Sequence, residues 1–304
     1  MQIKEVNFNS EGAKLTGNLY LPPNFDESKK YPAIVVSGSW TTVKEQMAGL
    51  YAEKLANEGF ITLAFDFRNF GESEGEPRFY ESPQLKKADI KNAVSYFEAH
   101  SNVNNEKIGV FGVCAGAMYT LMAASEDDRI KSVVTAASWL HDAEAVKLFY
   151  GGEEGVTEKL NAAREAKKEY AEHGVVEYIP TISTEDSSAA MYGPYDYYLN
   201  PERGAISKWS EDKFAVMSWE DWLTADPMTT AKELDKPTLM IHSDGAVLPE
   251  NTKKYFEQIP TGDKKLHWME TELESPYHQF SYYDQDAEVN ESVAVATKWF
   301  KTKM

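Results

Sequence analysis

The chain has 304 residues, 42% of them hydrophobic, with 31 basic against 49 acidic side chains and one cysteine. This content is too apolar for a disordered chain and long enough to bury a sizeable core, and a lone cysteine permits neither an internal disulfide nor a thiolate metal cage. The net charge of −18 argues against a nucleic-acid binder, which needs a basic face, and against binding to anionic membrane surfaces.

The first residues show no basic stretch leading into an apolar one, and the longest apolar runs, such as Ala33 to Val36 and Ile61 to Phe65, are strand-sized. A soluble cytoplasmic protein without leader or membrane span is therefore expected. Residues 2–9 and 13–21 alternate apolar and polar around Ser10-Glu11-Gly12, which predicts an antiparallel hairpin. Pro32 to Val36 reads as a buried strand entering the tight loop Ser37-Gly38-Ser39. Met47, Leu50, Tyr51 and Leu55 recur at helical spacing, and Gly59 follows as a cap. Phe60 to Phe65 is the next buried strand, leading into the polar loop Asp66 to Ser73. A helix over 84–99, a strand over 107–111, a helix through Met118 and Leu121, and a strand over 130–137 follow. The rhythm resumes with a strand over 237–242, a helix over 249–258, a strand over 265–269 and a closing helix over 286–301. Strands alternating with helices at this spacing predict a mostly parallel sheet with helices on both faces.

Residues 141–230 interrupt the pattern. They hold 18 acidic and 8 basic side chains, a local charge of 8 − 18 = −10. Val156, Leu160, Ala163 and Tyr170 mark one face of a charged helix ending at Gly174. Aromatic residues then crowd between Tyr192 and Trp222. The expectation is a helical cap over 141–230, inserted into a core formed by 1–140 and 231–304.

The sharpest motif is Gly112-Val113-Cys114-Ala115-Gly116, between a buried strand and a helix. A strand–turn–helix this tight forces its central residue into strained geometry, exposes its side chain at the sheet edge and demands small neighbours. The helix N-terminus also favours a thiolate. A buried structural cysteine is the alternative. No G-x-G-x-x-G, no phosphate-binding loop and no H-E-x-x-H occurs, so no cofactor and no metal is implied. Asp66 and Arg68 read as braces of the sheet edge, held by ion pairs and turn bonds.

With this elbow the chain resembles the α/β-hydrolases, and more narrowly the dienelactone-hydrolase-like and polyketide-transferase-like bacterial hydrolases with a cysteine elbow. Gly38-Ser39-Trp40, Lys44-Glu45-Gln46, Asp66 to Ser73, Trp139-Leu140-His141-Asp142 and His278-Gln279-Phe280 carry the resemblance. It implies an eight-stranded core and a Cys-acid-His triad in that chain order, with a cap between the sixth and seventh strands.

Of six histidines, His278 lies in the loop between the last strand and the last helix, where the fold keeps its base. The family pattern after the preceding strand is Gly-Asp-x-Asp. Here the turn reads Ser243-Asp244-Gly245-Ala246, with Ala246 in the usual acid position. Asp244 is the expected acid, with Asp142 its main rival and Glu250 a distant third. The oxyanion donors are expected to be the N–H of Ala115 and that of Ser39 or Trp40. Trp139, His141, Tyr195 and Trp219 are the expected substrate contacts. The leading expectation is a cysteine hydrolase (EC 3.1-like) acting on a small-molecule acyl substrate, an ester, lactone or thioester. An acyltransferase using the same acyl-enzyme is the second reading and a non-catalytic ligand-binding protein the third. Homo-oligomerisation stays open.

Overall fold

The computed structural model describes residues 1–304. The chain opens with strands β1 (Gln2–Ser10), β2 (Ala13–Leu21) and β3 (Tyr31–Ser37), helix α1 (Met47–Asn57), β4 (Ile61–Phe65) and α2 (Pro83–Ala99). Next come β5 (Val103–Val113), α3 (Ala115–Ala124) and β6 (Ser132–Ala136). A long excursion follows. It holds α4 (Ala143–Phe149), α5 (Gly152–His173), β7 (Tyr178–Ile179), β8 (Ile182–Ser183), β9 (Met191–Tyr192), α6 (Asp196–Leu199), β10 (Phe214–Ala215) and α7 (Ser218–Thr224). The chain then returns to the sheet with β11 (Thr238–His242), α8 (Pro249–Gln258) and β12 (Lys264–Trp268), and closes with α9 (Ser281–Asp284) and α10 (Asp286–Lys303).

Eight strands form one sheet in the order β1-β2-β4-β3-β5-β6-β11-β12. β1 pairs β2 and β2 pairs β4 antiparallel, and every later pairing is parallel. This is the eight-stranded, mostly parallel α/β-hydrolase sheet that the resemblance implies. Its central strands are apolar on both faces because helices cover both. Along β5 the side chains alternate. Phe111 stacks on Tyr51 of α1 with ring centroids 4.7 Å apart. Gly109 leaves room for Phe300 of α10, which a Cβ would meet at 2.7 Å. On the opposite face Gly112 abuts α3. The period of two thus sends one set of β5 residues to α1 and α10 and the other to α3.

The excursion between β6 and β11 combines helices with long loops and keeps little sheet: β7 pairs with β10, and β8 with β9, over two residues each. Its longest helix, α5, ends where the sequence predicts, at Gly174 in the left-handed region with φ 70°. Several hydrogen bonds tie the excursion to the core. Ser218 Oγ, at the start of α7, accepts from Glu81 N at 2.9 Å, and Gln46 Nε2 donates to Gly204 O at 2.6 Å. Arg203 donates to the Asp284 carboxylate at 2.7 Å. No helix is long and apolar enough to cross a membrane.

Candidate active site

β5 runs into α3 through Cys114, whose φ of 57° and ψ of −121° lie outside the relaxed regions of a residue with a Cβ. Such a conformation costs of order 1–3 kcal/mol and survives only where its surroundings over-determine it. Here they do. Cys114 N donates to Ala136 O at 3.1 Å, and Cys114 O accepts from Ala117 N and Trp139 N at 3.0 Å. Glycine is required on both sides because backbone meets backbone. A Cβ on Gly112 would lie 2.4 Å from Gly116 O, and one on Gly116 would lie 2.3 Å from Gly38 O. The small residues of the motif therefore let α3 seat against β5 and β3.

The loop after β3 is held from beneath by buried charge. Thr41, with φ 61°, donates its N–H to Glu81 Oε2 at 3.0 Å. Tyr119 Oη of α3 donates to the other carboxylate oxygen at 2.7 Å, and Lys86 Nζ neutralises the pair at 2.6 Å. Further along, Lys44 donates both N and Nζ to the Asp66 carboxylate, at 2.7 and 2.8 Å. Arg68 binds Asp89 at 2.7 Å. Asp66 and Arg68 are thus structural braces, and the braced loop brings Ser39 and Trp40 beside Cys114.

Around the sulfur stand the Ser39 and Tyr283 hydroxyls, the Ala115 N–H and the Gln279 amide. Burial raises the thiol pKa, and these four groups oppose that rise without overcoming it. The elbow alone therefore does not yield a thiolate at neutral pH.

His278 is not beside Cys114. Its ring lies on the far side of the loop, with Nδ1 2.7 Å from Ser243 Oγ and Nε2 3.2 Å from Glu288 Oε1. The side chain that enters the site is Gln279, the next residue. The two are successive in a 3₁₀ turn, Tyr277–Phe280, where each residue advances about 120° around the axis, so they point to different sides. Gln279 is fixed at both ends. Its Nε2 donates to Ala137 O at 2.7 Å and its Oε1 accepts from Val247 N at 3.1 Å.

The expected acid is displaced as well. The Asp244 side chain is 73% exposed and pairs with Lys253 at 3.1 Å, because the turn after β11 directs it to solvent. Glu250 pairs with the same lysine. Asp142 caps α4, accepting from Ala145 N at 3.0 Å. Ala246 is fully buried and offers no carboxylate. Ser243, His278 and Glu288 have the composition of a serine relay, but Ser243 is fully buried and lines neither cavity near Cys114. They clamp α10 to the end of β11.

Above Cys114 lies a chamber of about 70 Å³. Ser39, Trp40, Ala115 and Gln279 form its base, and Trp139, Tyr150, Met191, Tyr198, Trp222 and Tyr283 supply much of its wall. No acidic, basic or histidine side chain lines it. It shares Trp139, Tyr150, Met191, Val247 and Phe280 with an outer cleft of about 590 Å³, where Tyr195, Glu154, Glu158 and Lys159 appear. Trp139 and Tyr195 thus border this space.

His141 and Trp219 do not. His141 is fully buried, accepting from Trp139 Nε1 and donating to Ala225 O, both at 2.9 Å. Trp219 packs behind the wall on Phe214, with ring centroids 4.8 Å apart. One turn along α7, Trp222 takes the position expected of Trp219 and hydrogen-bonds Tyr150 Oη at 2.7 Å. Gln279, Tyr283, Tyr198 and Trp222 are not among the site residues expected from sequence. The spacing of Tyr283, four residues after Gln279, is the one signal that could have paired them.

An eight-stranded sheet of this order, with a strained residue between its central strand and the following helix, defines an α/β-hydrolase. The chain belongs to the X-Pro dipeptidyl-peptidase (S15) family, whose model matches residues 11–272, and it is a hydrolase. It is 30% identical to the uncharacterized protein YcjY of Escherichia coli K12 in an alignment of 310 positions, spanning 99% of this chain and 98% of the relative. The crystal structure of hypothetical protein PA2218 from Pseudomonas aeruginosa superposes with a TM-score of 0.86 at 27% identity, covering 100% of this chain and 94% of that one. The α/β hydrolase GrgF from Penicillium, a polyketide transferase, superposes with a TM-score of 0.81 at 19% identity, covering 100% and 99%.

Proposed function

We propose that this protein is a cysteine-dependent acyl-transfer enzyme. Cys114 accepts the acyl group of an activated ester, lactone or thioester, and the helical excursion serves as its cap. The observation that carries this reading is the strained elbow, which presents a thiol beside a backbone N–H at the floor of a neutral aromatic chamber. The similarity to a polyketide transferase is consistent with it.

In the forward step Sγ adds to the carbonyl carbon and the carbonyl electron pair moves to oxygen. The Ala115 N–H and an N–H of the Ser39–Trp40 loop receive that oxyanion. Collapse expels the leaving group, which takes the thiol proton directly or through the Tyr283 hydroxyl. A thiolate or a stabilised alkoxide leaves readily under these conditions. An amine needs a stronger general acid than a thiol or a tyrosine hydroxyl to protonate it, and the chamber holds no imidazole or carboxyl group, so peptide bonds are poor substrates despite the family's name. The chamber also lacks a carboxylate to pair with a peptide's free ammonium group.

Intact-mass spectrometry with p-nitrophenyl butyrate and a butyryl thioester tests the proposal. The wild type should gain one butyryl group and Cys114→Ala none. An unmodified wild type, or an equally modified Cys114→Ala, would overturn it.

A further inference from the structure

The second half of an acyl-transfer cycle makes a different chemical demand, and here the loop after β12 is decisive. When water resolves a thioester, its oxygen adds to the carbonyl carbon and must lose a proton, while the departing sulfur must gain one. A base at the site moves that proton and accelerates the step by about 10²–10⁴. A carboxamide does not take up a proton at neutral pH. Gln279 occupies this place with its Oε1 engaged by Val247 N and its Nε2 by Ala137 O. No imidazole or carboxylate lines the chamber.

We infer that Gln279 makes this enzyme selective against water, so that the acyl-Cys114 intermediate persists until a thiol acceptor discharges it. This inference rests on Cys114 being the acylated residue. A thiol needs no base at the site because a fraction of it ionises in solution. The acceptor thiolate adds to the carbonyl carbon, a new carbon–sulfur bond forms and the bond to Cys114 breaks. The acceptor's proton, released to solvent, is replaced on Cys114. The net reaction exchanges one thioester for another, with no oxidant or cofactor. The wide outer cleft beside the chamber gives the acceptor its approach.

The experiment follows release of the leaving thiol and the protein mass together, using the butyryl thioester of N-acetylcysteamine. The wild type should release about one equivalent in a burst and then slow by about a hundredfold, with the butyryl adduct still present. Adding 2-mercaptoethanol should remove the adduct and yield its butyryl thioester. In Gln279→His the adduct should decay to butyrate with a rate that rises with pH through the histidine range. Continuous hydrolysis by wild type at the burst rate, without accumulated adduct, would overturn the inference even if Gln279→His failed to fold. Failure of wild type to acylate at all would instead remove the underlying assignment of Cys114.

Discussion

At Cys114 two influences oppose each other. The helix N-terminus and four surrounding polar groups favour the thiolate, while burial favours the thiol, and burial prevails. Its alkylation should therefore differ from that of an activated cysteine. With iodoacetamide under pseudo-first-order conditions, the rate should keep rising beyond pH 9 with no plateau near neutrality, as followed by intact mass. A plateau below pH 8 would contradict the thiol environment described above. The neighbouring His141 shows the same principle in a different group. Burial lowers its pKa to about 4, and the neutral ring accepts from Trp139 while donating to Ala225 O. Protonation would turn the Nδ1 acceptor into a donor facing the indole N–H.

At the scale of elements, the Glu81–Lys86 pair joins α2, α3 and the loop after β3. Both side chains are fully buried, and the ammonium also lies 4.5 Å from the Phe70 ring centroid. Lys86→Met would leave a buried carboxylate without its counter-charge, and a loss of about 3–5 kcal/mol in urea denaturation is expected. The double variant Glu81→Gln/Lys86→Met should recover much of that loss, because the amide oxygen can still accept from Thr41 or Tyr119. Equal stability of the two variants would show that charge is not the cause. The same scale explains what sequence could reveal. Alternating and helical apolar spacing located β1–β6, β11 and β12 closely, since each has a face that must be buried. The elbow was legible because only small residues allow the backbone contacts at Gly112 and Gly116. Which of His278 and Gln279 enters the site was not legible, because a single 3₁₀ turn carries no periodic pattern and one residue of phase changes the answer. Trp219 and Trp222 posed the same difficulty, with two indoles on one short helix and only one facing the chamber.

At the scale of the whole molecule, buried histidines make stability depend on acidity. Enclosure also depresses His242, to about 3. Between pH 6.5 and about 4, the unfolded chain takes up a proton at position 141 that the folded chain refuses. This contribution is therefore complete above pH 6.5 and is lost as the pH falls through that window. His141 alone accounts for about 3 kcal/mol. Urea midpoints measured from pH 7 to pH 4 should fall, and His141→Gln should flatten the slope. An unchanged slope would mean that His141 is protonated in the folded protein.

The tethers between the excursion and the core also bear on how molecules would reach the thiol. Glu81 N to Ser218, Gln46 to Gly204, Arg203 to Asp284 and Tyr80 to Asp221 fasten the roof at separate points. Lifting it would break several bonds together, whereas the outer cleft already adjoins the chamber from the side. In the proposed reaction a short acyl end would pass inward to the sulfur, while the larger remainder of the donor stays in the outer cleft. On that proposed reading, capture should depend on the bulk of the acyl end more than on lifting of the roof.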